Sequence, residues 1–288
     1  MEKIAVAICG SSGIDYFYND HNMKVFRSKI LIDNVEYIDY IDITVEEFYF
    51  LLERAKTLHT AQTPTGELID LIKSYRNEGF TDLIMITISS GMSGTYQGAY
   101  VAANNVSGIN VHVFDSKLIG YPEANLAITA KELIEKGYSV KEILDILEDI
   151  RDNSSFMFVV DNLDYLRMNG RLSNASALIG NILKIKPILK INEEGKVIVF
   201  EKIRTKSKAI ERMLELFLET IKEKDVDCYI LYTNNYDEAN DFRNKIYQTT
   251  NKFKNINLYP LPPVIGVHAG PGGLAIGYVP KKENYPLK

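Results

Sequence analysis

Asp82-Leu-Ile-Met-Ile-Thr-Ile-Ser-Ser-Gly-Met-Ser-Gly-Thr-Tyr-Gln97 is an apolar run that ends in a small, hydroxyl-rich turn and leads into Ala99-Tyr-Val-Ala-Ala103. The pattern is that of a buried strand, a tight loop and a helix N-terminus. At such a terminus the first backbone N–H groups lack intrahelical partners, and the positive end of the helix dipole points at whatever lies above the loop. Residues 89, 90, 93 and 95 add hydroxyls, while Gly91 and Gly94 admit close backbone approach to a ligand. The stretch is therefore a candidate anion site. It reads equally as an ordinary well-capped helix, because Ser and Thr are common N-caps.

Around this unit the first half alternates strand and helix patterns. Lys3–Ile8, Leu83–Ile88 and Val111–Phe114 read as strands, and Val45–Thr57, Gly66–Asn77 and Thr95–Asn104 read as helices. That alternation predicts a mainly parallel sheet flanked by helices. Lys29–Ile38, with a turn at Asp33-Asn34, is expected to form a hairpin at the sheet edge. Two further helical patterns, Glu123–Lys136 and Val140–Ile150, are separated by Gly137 and are placed to bridge two lobes.

The pattern restarts with a short strand, Phe156–Val160, so two domains are expected, 1–154 and 155–288. A helical piece around Asn162–Met168 would end at Asn169-Gly170, and Lys184–Ile191 and Lys196–Ile203 flank a hairpin turn at Asn192-Glu-Glu-Gly195. Helix Lys206–Lys224, strand Cys228–Tyr232, helix Asp237–Thr249 and strand Asn257–Leu261 follow. Val264–Val279 reads as two strand-like pieces around His268-Ala-Gly-Pro-Gly-Gly273. The expected fold class is α/β with two lobes, the N-terminal one built on a mainly parallel sheet and the C-terminal one on a mixed sheet.

With 288 residues, 46% hydrophobic and 25% charged, the chain has the composition of a globular protein with a substantial core. Its net charge of -5 and the lack of a dense basic run argue against nucleic acid as a partner. No signal peptide or membrane span is evident, so a cytoplasmic location and no stable membrane insertion are expected. Cys9 and Cys228 have neither a CxxC pair nor a nearby His cluster, which suggests packing residues rather than a disulfide framework or metal site. Neither a GxxxxGK[ST] loop nor a GxGxxG after the first strand is present, so no cofactor is indicated.

Four segments sit where elements end and could converge: the Thr60-Ala61-Gln62-Thr63 turn between helices, the Ser89–Thr95 loop, Arg204-Thr205 after a strand, and the His268 loop. Their hydroxyls, guanidinium and imidazole would suit a carboxylate or phosphate. A single histidine is commonly structural, yet the glycines around His268 would expose its ring at a strand end. Ser93, His268 and Asp115 could also be combined into a hydrolase triad, although Gly91-Met-Ser-Gly94 lacks the GxSxG elbow spacing.

These residues resemble the DegV family, two-domain bacterial proteins that bind a long-chain fatty acid in the cleft between their domains. The resemblance spans nearly the entire chain. Thr60-Ala-Gln62 is similar to the family's Thr-Ser-Gln turn, and Ile88–Gln97 to its SSxLSGTYQ loop. Asp164–Arg171, Leu183–Leu189, Lys202–Thr205 and Gly266-Val-His-Ala-Gly-Pro-Gly272 continue it in order. The resemblance implies a subunit that holds the acyl carboxylate for a separate fatty acid kinase, which makes the acyl phosphate and itself carries the nucleotide and magnesium sites. It carries the head-group role to Thr60, Ser93 and His268, with Gln62, Gly94 and Thr95 in the same two loops. Arg204 matches an arginine near that site, and Arg171 one that supports the head group or docks the kinase. No catalytic residue or metal ligand is implied on this chain. Where the family usually carries an Asp-Ser/Thr pair after its first strand, the chain has Cys9-Gly10-Ser11, and the carboxylate is missing. Two other readings are an acyl-ester hydrolase using Ser93 and His268, and a carrier of another apolar anion such as an isoprenoid or sterol acid.

Overall fold

β6 (Asp82–Thr87) is buried at all six positions, the condition of a strand covered on both faces. It pairs in parallel with β1 (Ile4–Cys9) and β7 (Asn110–Asp115), and β2 (Lys24–Phe26) completes a four-stranded sheet in the order β2-β1-β6-β7. The computed structural model describes residues 2–18, 23–173 and 185–285. Met1 and the motif residues Leu183 and Lys184 lie outside them.

Alternate side chains of β6 feed different cores, as the two-residue period of a strand requires. Leu83 and Met85 pack with α1 (Val45–Leu52), α2 (Thr65–Asn77) and α3 (Thr95–Asn104). Ile84 and Ile86 pack with α4 (Tyr121–Glu135) and α5 (Val140–Asp152). Each of α1 and α5 begins with a capping box, Thr44 with Glu47 and Ser139 with Glu142.

The second sheet is built from β8 (Ser155–Val159), β9 (Ile188–Ile191), β10 (Val197–Glu201), β11 (Val226–Thr233), β12 (Asn257–Pro260) and β13 (Gly273–Pro280). Its order is β10-β9-β8-β13-β11-β12, antiparallel except for the β11–β12 pair. One face carries α7 (Lys206–Thr220) and α8 (Tyr236–Thr249), which meet Ile230 and Ile276. From the other face Tyr229, Leu231 and Ala275 join the α4–α5 core, so this helix pair does bridge the two sheets. Among the described residues two further short α-helices are α6 (Asp164–Met168) and α9 (Pro263–Ala269).

Three local expectations are overturned. The Lys29–Ile38 hairpin forms as β3 (Lys29–Ile32) and β4 (Val35–Ile38), but it does not extend the parallel sheet. It makes a separate sheet with β5 (Leu58–Ala61), in the order β4-β3-β5. The helix expected to run to Thr57 stops at Leu52, and Asp33 Oδ1 accepts the N–H groups of Lys56 and Thr57 at 2.8 Å, steering the chain into β5. Thr60 is thus on a strand rather than in a turn between helices.

The third correction concerns Val264–Ala269, which is helical. Pro263 at its start has a backbone angle already suited to the first turn, and Asp39 Oδ1 accepts the Val264 N–H at 3.2 Å. A four-residue apolar run has no period that separates strand from helix. Tertiary burial decides here: Val264, Ile265 and Val267 enter the core beneath β3 and α1.

Candidate functional site

Between the two sheets lies a cavity of about 280 Å³, walled by Ile88 and Ile119 from the first half and by Phe156, Phe158, Ile191 and Leu231 from the second. Its polar lining includes Thr60, Gln62, Ser93, Arg171 and His268. Apolar walls with a few convergent polar groups are the usual make-up of a small-molecule site.

His268 reaches the cavity because α9 packs on β5. Its Nε2 lies 2.9 Å from Thr60 Oγ1, across 208 residues of sequence. Burial, assisted by the positive charge of Arg171, pulls the imidazole down to about 3, so the ring is neutral near pH 7. A neutral imidazole has one donor and one acceptor nitrogen. Nε2 is engaged by Thr60, and Nδ1 is buried with no partner among the described residues.

The glycines of this segment serve packing rather than exposure of the ring. Gly266 lies against α1, where a Cβ would come within 2.6 Å of Phe48 Cε1. Gly270 ends α9 with φ of 69°, in the left-handed region, and presses on the Tyr165 ring of α6. These contacts fix the helix that carries His268.

The four hydroxyls of the loop after β6 divide among different tasks. Ser89 Oγ donates to Gly195 O at 2.7 Å, joining the strand end to the tip of the β9–β10 hairpin. Ser90 N–H and Oγ both donate to the Asp115 carboxylate at the end of β7. Ser93 lines the cavity, and its hydroxyl pairs with Thr95 Oγ1 at 2.8 Å. Thr95 is buried behind it, so its place is beside Ser93 rather than on the cavity wall.

That division leaves the triad unassembled. Asp115 is held by Ser90, Ser93 is paired with Thr95, and His268 is paired with Thr60. A nucleophile–base–acid relay needs hydrogen bonds in series among its members.

Gln62 and Gly94 form one contact: a Cβ on Gly94 would fall 2.2 Å from Gln62 Oε1, so the missing side chain lets the amide rest over the start of α3. Arg171 Nε donates to Met92 O at 3.2 Å, and its Nη1 donates to Asn169 O, which fixes the guanidinium on backbone carbonyls. Among the described residues it is the one charged side chain lining the cavity. Arg204 is not brought there; it is exposed, two residues before α7, away from the lining. Thr60, Gln62, Ser93, Gly94, Arg171 and His268 converge, with Thr95 directly behind.

The DegV family model, described as an uncharacterised protein family, matches residues 3–281. The chain belongs to the DegV family. A DegV domain-containing protein of Staphylococcus aureus is 34% identical over 284 residues, 97% of this chain and 98% of that relative. One from Clostridium acetobutylicum is 32% identical, with 96% and 98% covered. The crystal structure of a fatty acid binding DegV protein from Streptococcus agalactiae superposes with a TM-score of 0.90 at 30% identity, covering 98% of this chain and all (100%) of that one. DegV from Bacillus subtilis, a fatty acid binding protein, gives 0.85 at 30% identity with the same coverage, 98% and 100%.

In this DegV chain a buried carboxyl from another element meets the segment after β1. Ser11 Oγ donates to both carboxyl oxygens of Glu123, in the first turn of α4, at 3.1 Å. The side chain is fully buried, and burial pushes its carboxyl well above the usual range, with Asp115 adding to the effect. No pattern in the sequence marks it, because a Glu in a first helical turn reads as an exposed dipole partner. Thr233 also lines the cavity, and its Oγ1 accepts the Gly273 N–H at 2.6 Å. A threonine at a strand end carries no distinguishing pattern. Among the described residues no helix is long and apolar enough to cross a membrane, and no group of His, Cys, Asp and Glu is placed to hold a metal ion.

Proposed function

We propose that this protein binds a long-chain fatty acid, with the tail in the cavity between the sheets and the carboxylate among Thr60, Ser93, Arg171 and His268, and that it presents this carboxylate to a separate kinase. The observation that carries the reading is an apolar cavity in which Arg171 is the one charged lining side chain among the described residues. A fixed guanidinium beside hydroxyls is complementary to a carboxylate, through hydrogen bonds that strengthen when the acceptor is charged. The fatty acids bound by the Streptococcus agalactiae and Bacillus subtilis relatives agree with that chemistry.

The pairing of Ser93 with Thr95 and of His268 with Thr60 supports presentation rather than attack, since both side chains are committed to holding geometry. Burial of ~0.8 kcal/mol per methylene makes the tail the larger source of affinity. The polar cluster then sets orientation.

Organic extraction of the purified protein followed by mass spectrometry tests the ligand: a long-chain fatty acid is expected, and an isoprenoid or sterol acid overturns the reading. Hydroxylamine trapping tests presentation. Adding the loaded protein to a bacterial kinase fraction with ATP should yield acyl hydroxamate, and no increase over the fraction alone counts against the kinase half only.

A further inference from the structure

We propose that the acyl chain accepted by this cavity carries a hydroxyl along its length, seated on Ser11 and backed by Glu123. The inference rests on the fatty-acid reading and narrows its ligand class. Ser11 lines the cavity, and its hydroxyl donates to both carboxyl oxygens of Glu123 at 3.1 Å. The Glu123 side chain is fully buried, Cys9 is buried next to Ser11, and the Gly120 N–H donates to Ser11 O at 3.3 Å.

A buried carboxyl behind a cavity-lining hydroxyl is costly, and the same lining holds Ile119, Leu231 and Phe156. Replacing both partners of such a pair by apolar groups of similar shape is often neutral or stabilising, whereas leaving a buried polar atom short of partners is not. A hydrocarbon chain against Ser11 would offer its hydroxyl no partner on the cavity side. An alcohol fits the inventory: its O–H donates to Ser11 Oγ, whose own proton remains on Glu123. Burial favours the neutral acid form of Glu123, which adds a second O–H to the pair and lets the proton order reverse, so the ligand oxygen can also accept. The ligand hydroxyl can thus be satisfied in either sense. The chemistry is confined to hydrogen bonding, and no bond of the ligand is changed.

The test is a competition. Delipidated full-length protein is offered octadecanoic acid together with a panel of monohydroxy-octadecanoic acid regioisomers, and the retained lipid is identified by native mass spectrometry. At least one regioisomer should be retained ~10-fold over octadecanoic acid, the preference expected of about one well-formed hydrogen bond. Ser11→Ala, with folding checked by circular dichroism, should bring that ratio to about 1 or invert it, and Glu123→Gln, which keeps shape but alters the proton inventory, should reduce it. Retention of octadecanoic acid in preference to every regioisomer overturns the inference alone. A preference unchanged in Ser11→Ala also overturns it. Retention of neither lipid class overturns the fatty-acid reading and this inference with it.

Discussion

Thr60 Oγ1 and His268 Nε2 meet at 2.9 Å because β5 and α9 pack together, and α9 is tied to the first half of the chain by Asp39, which accepts the Val264 N–H. A hydroxyl from one end of the sequence therefore orients an imidazole from the other. The ring is held neutral, which leaves Arg171 as the charge that answers a carboxylate.

Head group and tail should separate experimentally. A hydrogen bond to a charged group contributes ~1.5–3 kcal/mol, so His268→Ala should weaken retention of an eighteen-carbon acid by roughly 10-fold to 100-fold. Removing six methylenes costs about 5 kcal/mol, several thousand-fold. Native mass spectrometry should rank the two losses in that order, while Ser93→Ala and His268→Ala reduce acyl-hydroxamate yield more than lipid content. Complete lipid loss from either single variant would reverse the ranking.

Two buried groups give stability opposite dependences on pH. Burial holds the Asp39 carboxyl at about 7 against an ordinary 3.8, so its contribution is present below 3.8 and is lost as pH rises through about 7. His268 is held at about 3 against 6.5, so its contribution is present above 6.5 and is lost as pH falls toward about 3. Relative to the unaltered protein, Asp39→Asn should gain Tm between pH 5 and pH 8, and His268→Gln should gain it between pH 7 and pH 4. Parallel Tm curves for a variant and the parent would refute that residue's assignment.

Much of the fold was legible because its cues are local. Strand β6 is a continuous apolar run, α3 begins at Thr95 where the hydroxyl-rich loop ends, and Asp33-Asn34 turn β3 into β4 with φ of 48° and 70°. The misread segments are those settled at a distance. Beyond the end of α1, Asp33 accepts the N–H groups of Lys56 and Thr57 at the entry to β5, and Asp39 accepts the Val264 N–H at the N-terminus of helix Pro263–Ala269. The site followed the same division. Thr60, Ser93 and His268 lie in segments whose order resembles the family, whereas Glu123 reaches Ser11 only through the packing of α4 on β1, and Arg204 is exposed and outside the cavity lining although its segment matches.

Close packing of α9 on α1 predicts a sharp response to one methyl group. In Gly266→Ala the new Cβ would lie 2.6 Å from Phe48 Cε1 and 2.8 Å from Tyr49 Oη. Overpacking of this kind costs ~1–3 kcal/mol. Denaturant melts should show that loss, and Phe48→Leu in the same chain should recover part of it; additive losses would mean the two side chains do not press on one another.

Ser89 should matter to the hairpin rather than to the ligand's charge. Removing its bond to Gly195 O in Ser89→Ala costs ~0.5–1.5 kcal/mol. Hydrogen exchange should quicken at residues 192–197, whereas Ser90→Ala should affect the end of β7 instead. Equal protection of the hairpin in both variants would argue against the contact.

That same contact bears on timing. The β9–β10 hairpin supplies Ile191 and Val197 to the cavity wall, and Ser89 fastens its tip to the end of β6. A guest that leaves past this seam must wait for the strand end and the hairpin tip to part. Its residence is then clocked by the opening of the polypeptide, and lipids of unequal solubility but similar girth should depart at similar rates.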